Sequence, residues 1–312
     1  MKRHVVLGVV ISFFTVHCSH AQLTHEWAMN QLFSYSNTSY EIVNGFKSNG
    51  SSISHDGYTR SFSMQHLKYC ELNDLKSFLN SIDITVHETA HAYDSQIPYM
   101  KANQGSTFTH LNNTEGFYLD PFSSACIEFP KNKLFPSNEL VRVIPESLRT
   151  FRFNTYVNAG PTQSTQCDGV VGLMDEFNAY YHGSKVLYDL YPLFKEAYGT
   201  GVSWSWPSKF VSNADAFYEF DFFIKEYLLY AKQHHPALYQ ELKTHPTFSY
   251  VYKSIHKSFS TLMTNYEKKY DELNKNSTGY GVSTPKHGEI YKTLLPTLQS
   301  NRYQEITADF LN

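Results

Sequence analysis

The chain has 312 residues, 41% of them apolar and 16% aromatic, enough for a sizeable core in one large domain or two smaller ones. Its net charge is −3, and the 26 Lys and Arg form no long basic run, which argues against nucleic acid as a partner. The 24 Tyr and 23 Phe fit core filling better than an aromatic binding groove.

The first residues carry a targeting signal. Met1-Lys2-Arg3-His4 is a basic head, 5–16 is apolar, and Ser19-His20-Ala21 supplies small residues at alternate positions. An apolar stretch of about 12 residues is too short to span a bilayer, which takes roughly 20. Residues 1–21 therefore read as a cleaved signal peptide, with a mature chain from Gln22 that is secreted or periplasmic. Cys18 raises a lipoprotein alternative, but His17 before it is a poor match to the small residue expected there. No later segment is long and apolar enough to span, so no integral membrane segment is expected after signal removal. Cleavage leaves Cys70, Cys126 and Cys167, an odd count with no C-x₂₋₄-C spacing. That excludes a cysteine zinc site and a complete disulfide framework, and allows at most one bridge plus a free thiol.

Further along, Asn49-Gly50 and Asp56-Gly57 are turn dipeptides, and 58–64 alternates as a strand does. Residues 67–79 read as a helix on Leu67, Leu72, Leu75 and Leu79, and 82–93 as a second one that stops before Pro98. Between 105 and 160, turn formers such as Asn112-Asn113, Asp120-Pro121 and Asn158-Ala159-Gly160-Pro161 punctuate aromatic and β-branched runs. These predict hairpins, with 140–144 and 151–157 as further strands. Beyond Cys167 the pattern is helical over 170–197, then on Phe217, Phe220, Ile224, Tyr227 and Ala231. It resumes on Phe248, Val251, Ile255, Phe259, Leu262, Tyr266 and Tyr270. The expected class is α+β: a mixed N-terminal half, a β-hairpin insertion and a mainly helical C-terminal half. Gly199-Thr200-Gly201 followed by Trp204, Trp206 and Pro207 reads as a connection, dividing the chain into 22–200 and 201–312.

Chemistry concentrates in Ile84-Thr85-Val86-His87-Glu88-Thr89-Ala90-His91-Ala92-Tyr93. Residues four apart lie on one helix face, so His87 and His91 can turn their imidazoles to one ion. Two imidazoles leave room on zinc for a third protein ligand and a water. Glu88 lies about 100° round the helix from His87, beside the ion but not on it, where a general base for that water belongs. Flanks without charge or Pro suit a buried, unbroken helix along a cleft. Asp94 shares the face of the two His and is a candidate to orient one of them.

The third ligand is expected from Gly172-Leu173-Met174-Asp175-Glu176-Phe177-Asn178-Ala179-Tyr180-Tyr181. No third His follows His91 at close spacing, which sets aside the metzincin pattern. Together with His87-Glu88-Thr89-Ala90-His91, the segment Glu176-Phe177-Asn178-Ala179 resembles the gluzincin-type zinc metallopeptidases, the broad class that includes thermolysin. That resemblance implies a zincin-like fold and a Zn²⁺ ion held by His87, His91 and Glu176. It also implies a small residue, Ala179, where the second helix approaches the first. Two departures stand out: 85 residues separate His91 from Glu176, and Tyr180 occupies the position where thermolysin-like enzymes carry an orienting Asp. Asp175 is the rival third ligand, since Gly172-Leu173-Met174-Asp175 loosely resembles an aspzincin pattern.

The resulting expectation is a zinc-dependent hydrolase, a secreted metallopeptidase acting on a peptide or protein substrate with Glu88 as general base. The catalytic set is completed by an oxyanion donor, Tyr156 or His182 first, with Tyr180 and Tyr181 as further candidates. Arg142, Arg149 and Arg152 either bind a substrate carboxylate or lie on a solvated strand face; the second reading is preferred. The alternative function is a non-catalytic zinc-containing module of the cell envelope.

Overall fold

A computed structural model describes residues 22–276 and 284–312. The signal-peptide reading of residues 1–21, Cys18 included, lies outside the described residues. The architecture is α+β, with two small antiparallel hairpins in the N-terminal half and a helical C-terminal region.

Two short helices come first, α1 (His25–Tyr35) and α2 (Asn37–Asn49). The first hairpin follows, β1 (Ser52–His55) and β2 (Tyr58–Ser61), turning at Asp56-Gly57 as the dipeptide predicts. The helix expected over 67–79 is absent at its start. Leu67 has φ 56°, a left-handed turn that no helix continues through, and the chain becomes helical only at Leu75. There the Asp74 carboxylate caps the new helix by accepting the Ser77 N–H at 2.8 Å.

That helix, α3 (Leu75–Asn103), merges both sequence-predicted helices and runs through Pro98 instead of stopping before it. Proline at 98 removes the N–H that would reach the Asp94 carbonyl. Gly116 sits against that carbonyl, where an added Cβ would lie 2.3 Å from the Asp94 oxygen and 2.8 Å from Pro98 Cδ. Gly116 belongs to the second hairpin, β3 (Thr114–Asp120) and β4 (Ser123–Glu128). Its turn is held by the Asp120 side chain, which accepts the Phe122 N–H at 2.8 Å.

The strands expected at 140–144 and 151–157 are not strands. Ser137–Arg142 is a 3₁₀ turn and Phe153–Val157 a wide, π-type helical turn. Leu140, Ile144, Phe153, Tyr156 and Val157 still enter the core, so the apolar signal was correct and its period was not.

After α4 (Ser164–Cys167) comes α5 (Gly169–Asp189), the central helix, which packs against α3 on one side. Then follow α6 (Tyr191–Tyr198), α7 (Val202–Ala214), α8 (Ala216–His234), α9 (Pro236–Thr244) and α10 (Pro246–Asn276). Two further helices close the described chain, α11 (Glu289–Leu298) and α12 (Gln304–Phe310). The segment read as a connection is helical instead. Trp206 and Pro207 lie inside α7, and the fully buried Trp206 donates its indole N–H to the Leu187 carbonyl of α5 at 2.9 Å.

Besides α3, α5 touches α7, α8 and α10, so one apolar cluster joins residues from α1 to α12. Cys70, Cys126 and Cys167 are all free thiols, and no disulfide forms among the described residues.

Candidate metal centre

His87 and His91 stand one turn apart on α3, on the side turned to α5. Their Nε2 atoms are 3.1 Å apart, and the rings meet edge to face at 84°. Glu176 on α5 brings Oε2 to 3.6 Å from His87 Nε2 and 3.4 Å from His91 Nε2. One ligand atom from each of the three lies within 4.8 Å of the others. Glu176 is 7% exposed, and its Oε2 is buried with no hydrogen-bond partner.

An unsatisfied carboxylate oxygen facing two ring nitrogens is costly unless a cation fills the gap. The donor set, two imidazoles and one carboxylate, suits zinc with an open position. Burial raises the Glu176 carboxyl, but His91 and His87 more than offset it and hold it down at about 2. Glu176 is thus a carboxylate over the whole physiological range. For His91, burial pulls the imidazole down while Asp175 and Glu176 hold it well above its ordinary value. The field around this imidazole favours positive charge.

Asp175, weighed as the rival ligand, has a different place. Its Oδ2 lies 2.8 Å from His91 Nδ1. A carboxylate can only accept there, so Nδ1 carries a proton, which leaves Nε2, on the side of Glu176 and His87, as the ring atom free to ligate a metal in the neutral imidazole. The two adjacent carboxylates therefore divide the work: Glu176 joins the cluster and Asp175 orients a member of it.

The expectation that Asp94 orients His87 or His91 is corrected by the structure. Asp94 is fully buried, accepting the Tyr118 backbone N–H at 2.6 Å and the Asn178 side-chain amide at 2.8 Å. It ties β3 to α3 and α5. His182 also serves that junction. Its Nε2 donates to the Tyr118 carbonyl at 2.9 Å, it has no exposed surface, and burial lowers its pKa to about 4. It does not line the cavity beside His87. Tyr181 faces a different cleft, formed with α10.

The cavity beside His87 has a volume of about 450 Å³. From α3 it receives Asn80, Asp83, Ile84, His87 and Glu88; from α5, Tyr180; from α7, Lys209, Ser212 and Asn213. The helical turn before α4 adds Arg152 and Tyr156. Glu88 is half-buried and opens onto the same space as His87.

Tyr180 packs its ring edge-on against His87, centroids 4.5 Å apart, and its hydroxyl lies 3.0 Å from the Tyr156 hydroxyl. Burial, and after it the Glu176 charge, push the Tyr156 phenol far above its usual range, so it stays protonated and able to donate. Tyr156 thus reaches the cavity because 153–157 is helical; on a strand its neighbours would have been different.

Gly183 explains how closely α5 approaches α3. A Cβ there would lie 3.1 Å from the Asp83 carbonyl and 3.5 Å from His87 Cβ. The gluzincin resemblance places Ala179 at this approach. Ala179 is fully buried, but Gly183 is the residue facing the His87 turn.

Arg152 went unrecognised as a cavity residue. It is 5% exposed rather than solvated, because the turn carrying it folds under α8. Nothing in its neighbourhood in sequence signals burial; its partner Glu219 is 67 residues away. Arg149 is exposed and donates to the Ile144 and Val141 carbonyls, and Arg142 is exposed.

No family model, curated protein or solved structure matches the chain. Among the described residues, no helix is long and apolar enough to cross a membrane.

Proposed function

We propose that this chain is a zinc-dependent hydrolase of the gluzincin type, a secreted or periplasmic metallopeptidase that cleaves amide bonds in a peptide or protein substrate. The observation that carries it is the convergence of His87, His91 and an unsatisfied, buried Glu176 oxygen from two separate helices. In this reading the zincin-like catalytic unit spans 22–200 and the helical subdomain 201–312.

His87, His91 and Glu176 would hold the ion. Zinc bound there supplies Lewis acidity, which polarises a substrate carbonyl and lowers the pKa of water. Every other role falls to the protein. Asp175 fixes the His91 tautomer through its 2.8 Å hydrogen bond. Glu88, in the cavity next to His87, takes the proton from the attacking water and passes it to the leaving amine. The paired Tyr156 and Tyr180 hydroxyls have one O–H left over after bonding each other, and that O–H donates to the developing oxyanion.

The test separates binding from chemistry. Glu88→Gln is expected to retain stoichiometric zinc while hydrolysis of a casein digest falls by at least about a hundredfold, the usual scale for losing a general base. Full activity in a zinc-loaded Glu88→Gln protein refutes the assignment of Glu88.

A further inference from the structure

We propose that Arg152 is a substrate-recognition residue, and that the cavity beside His87 takes ligands bearing a carboxylate. This rests on the hydrolase reading for its consequence, but not for its geometry.

Arg152 lines the cavity and is 95% buried by its own 5% exposure. A guanidinium has five N–H donors. One Nη1 proton goes to Glu219 Oε2 at 2.5 Å, and one Nη2 proton to the Ser212 carbonyl at 3.0 Å. The Arg152 backbone N–H also donates to Glu219 Oε1. Nε is buried with no acceptor. An N–H shut away from water without a partner is costly, and native structures rarely keep one.

The molecule contains its own comparison. Arg302, in the 3₁₀ turn 301–303 before α12, uses Nε and Nη2 together as a fork on the two oxygens of Glu226 on α8, at 3.0 and 2.9 Å. There Nε has its acceptor. Arg152 has its equivalent Nε without an acceptor, on a side chain that borders empty space.

What holds Arg152 also aims it. Glu219 and Ser212 fix the end of the fork, and the guanidinium carbon lies 4.5 Å over the Tyr180 ring. Tyr180 in turn packs on His87, so the unused donor is registered against the metal cluster through one aromatic ring. Glu219 offsets the charge of Arg152 but consumes only part of its donors. Recognition is therefore by directed hydrogen bonds, and a planar two-oxygen acceptor is the group that matches a guanidinium edge.

The second cation of the cavity is not available in the same way. Lys209 is paired with Asp83 at 2.9 Å and donates to the Asn80 carbonyl. A carboxylate ligand comes either from a free C-terminus or from an Asp or Glu side chain, and the two give the same local chemistry.

The experiment measures binding rather than turnover. Three short peptides built on one neutral parent sequence are titrated calorimetrically into metal-free protein: the parent with a free C-terminus, the parent amidated, and an amidated variant with one internal Glu. At least one carboxylate peptide is expected to bind tenfold or more tighter than the amidated neutral one. Arg152→Lys, which keeps a cation for Glu219, is expected to abolish that difference while the fold, read by circular dichroism, is retained. The preferred peptide identifies the source of the carboxylate. Equal affinity for all three, or no binding of any, overturns the proposal, as does selectivity that survives in Arg152→Lys. If that variant does not fold, the selectivity of the unmodified protein still decides. Selective binding without hydrolysis of any peptide by zinc-loaded protein would leave this inference standing and refute the hydrolase reading instead.

Discussion

Asp94, fully buried, and Asp175, partly buried, are carboxylates within reach of the same two helices, yet they do different things. Asp94 shares a helix face with His91, which is why sequence reasoning gave it the orienting role. Its two oxygens are consumed by Tyr118 and Asn178. Those partners are 24 and 84 residues away, so helical spacing could not reveal them. Asp175 sits on His91 Nδ1, a role the sequence did not reveal, since there Asp175 figured only as the rival to Glu176 for the metal. The two aspartates separate in a paired experiment. Asp175→Asn should weaken zinc affinity by about 10–100-fold, the usual cost of losing such a partner, with little change in melting temperature. Asp94→Ala should leave the zinc stoichiometry intact. It should lower stability by about 1–3 kcal/mol for each donor stranded in the core. Calorimetric zinc titration and thermal melts of both variants check this; equal effects on affinity would refute the division.

Among the elements, the pair α3 and α5 builds the centre, and its spacing is set by what is missing from their surfaces. Gly183 puts backbone against the turn that carries His87. Gly183→Val is expected to force the helices apart, since its branched side chain has no room at 3.1 Å from the Asp83 carbonyl. The cost is about 1–3 kcal/mol of overpacking, with a larger relative loss of zinc binding because ligands from two helices separate. Chemical unfolding beside a zinc titration measures both. The helices with long apolar periods, α5, α8 and α10, were legible from sequence because spacing by three and four needs no tertiary information. The failures share a cause. Pro98 normally ends a helix, but here the carbonyl it frees meets a strand that has glycine at 116. Residues 140–144 and 151–157 carry apolar and β-branched residues that suit strands. They form helical turns because each is packed singly against the core with no partner strand.

At the scale of the whole molecule, the buried Asp221 carboxylate ties α8 to α10. Asp221 on α8 takes Lys225 Nζ at 2.7 Å, the Tyr252 hydroxyl of α10 at 2.7 Å, and faces His256 at 3.6 Å. Burial raises Asp221, but His256 and Lys225 outweigh it and hold the carboxyl well below its usual range. A depressed carboxylate contributes stability above its unfolded pKa of about 3.9 and loses it as pH falls further. Asp215 has the opposite sign. Burial and Glu219 raise it to about 7, so its ionisation opposes folding increasingly as pH climbs from about 4 to that value. Melting temperature should therefore drop steeply below about pH 4. Asp215→Asn should raise it at pH 7 and above, while leaving it unchanged near pH 4. A variant no more stable than the parent at pH 8 would contradict the sign assigned to Asp215. The links from Asp221 to Tyr252 and His256 were not legible, because they pair residues on different helices, whereas Asp221 and Lys225 stand four apart on α8. The α+β class was legible, being the sum of local patterns.

All of these scales meet at the three ligand atoms of His87, His91 and Glu176, so metal analysis is the most direct test. Purified protein dialysed against zinc should carry one zinc per chain, and Glu176→Ala prepared in the same way should lose most of it. Protein that binds no zinc, or a Glu176→Ala variant that holds it as tightly as the parent, would contradict the account.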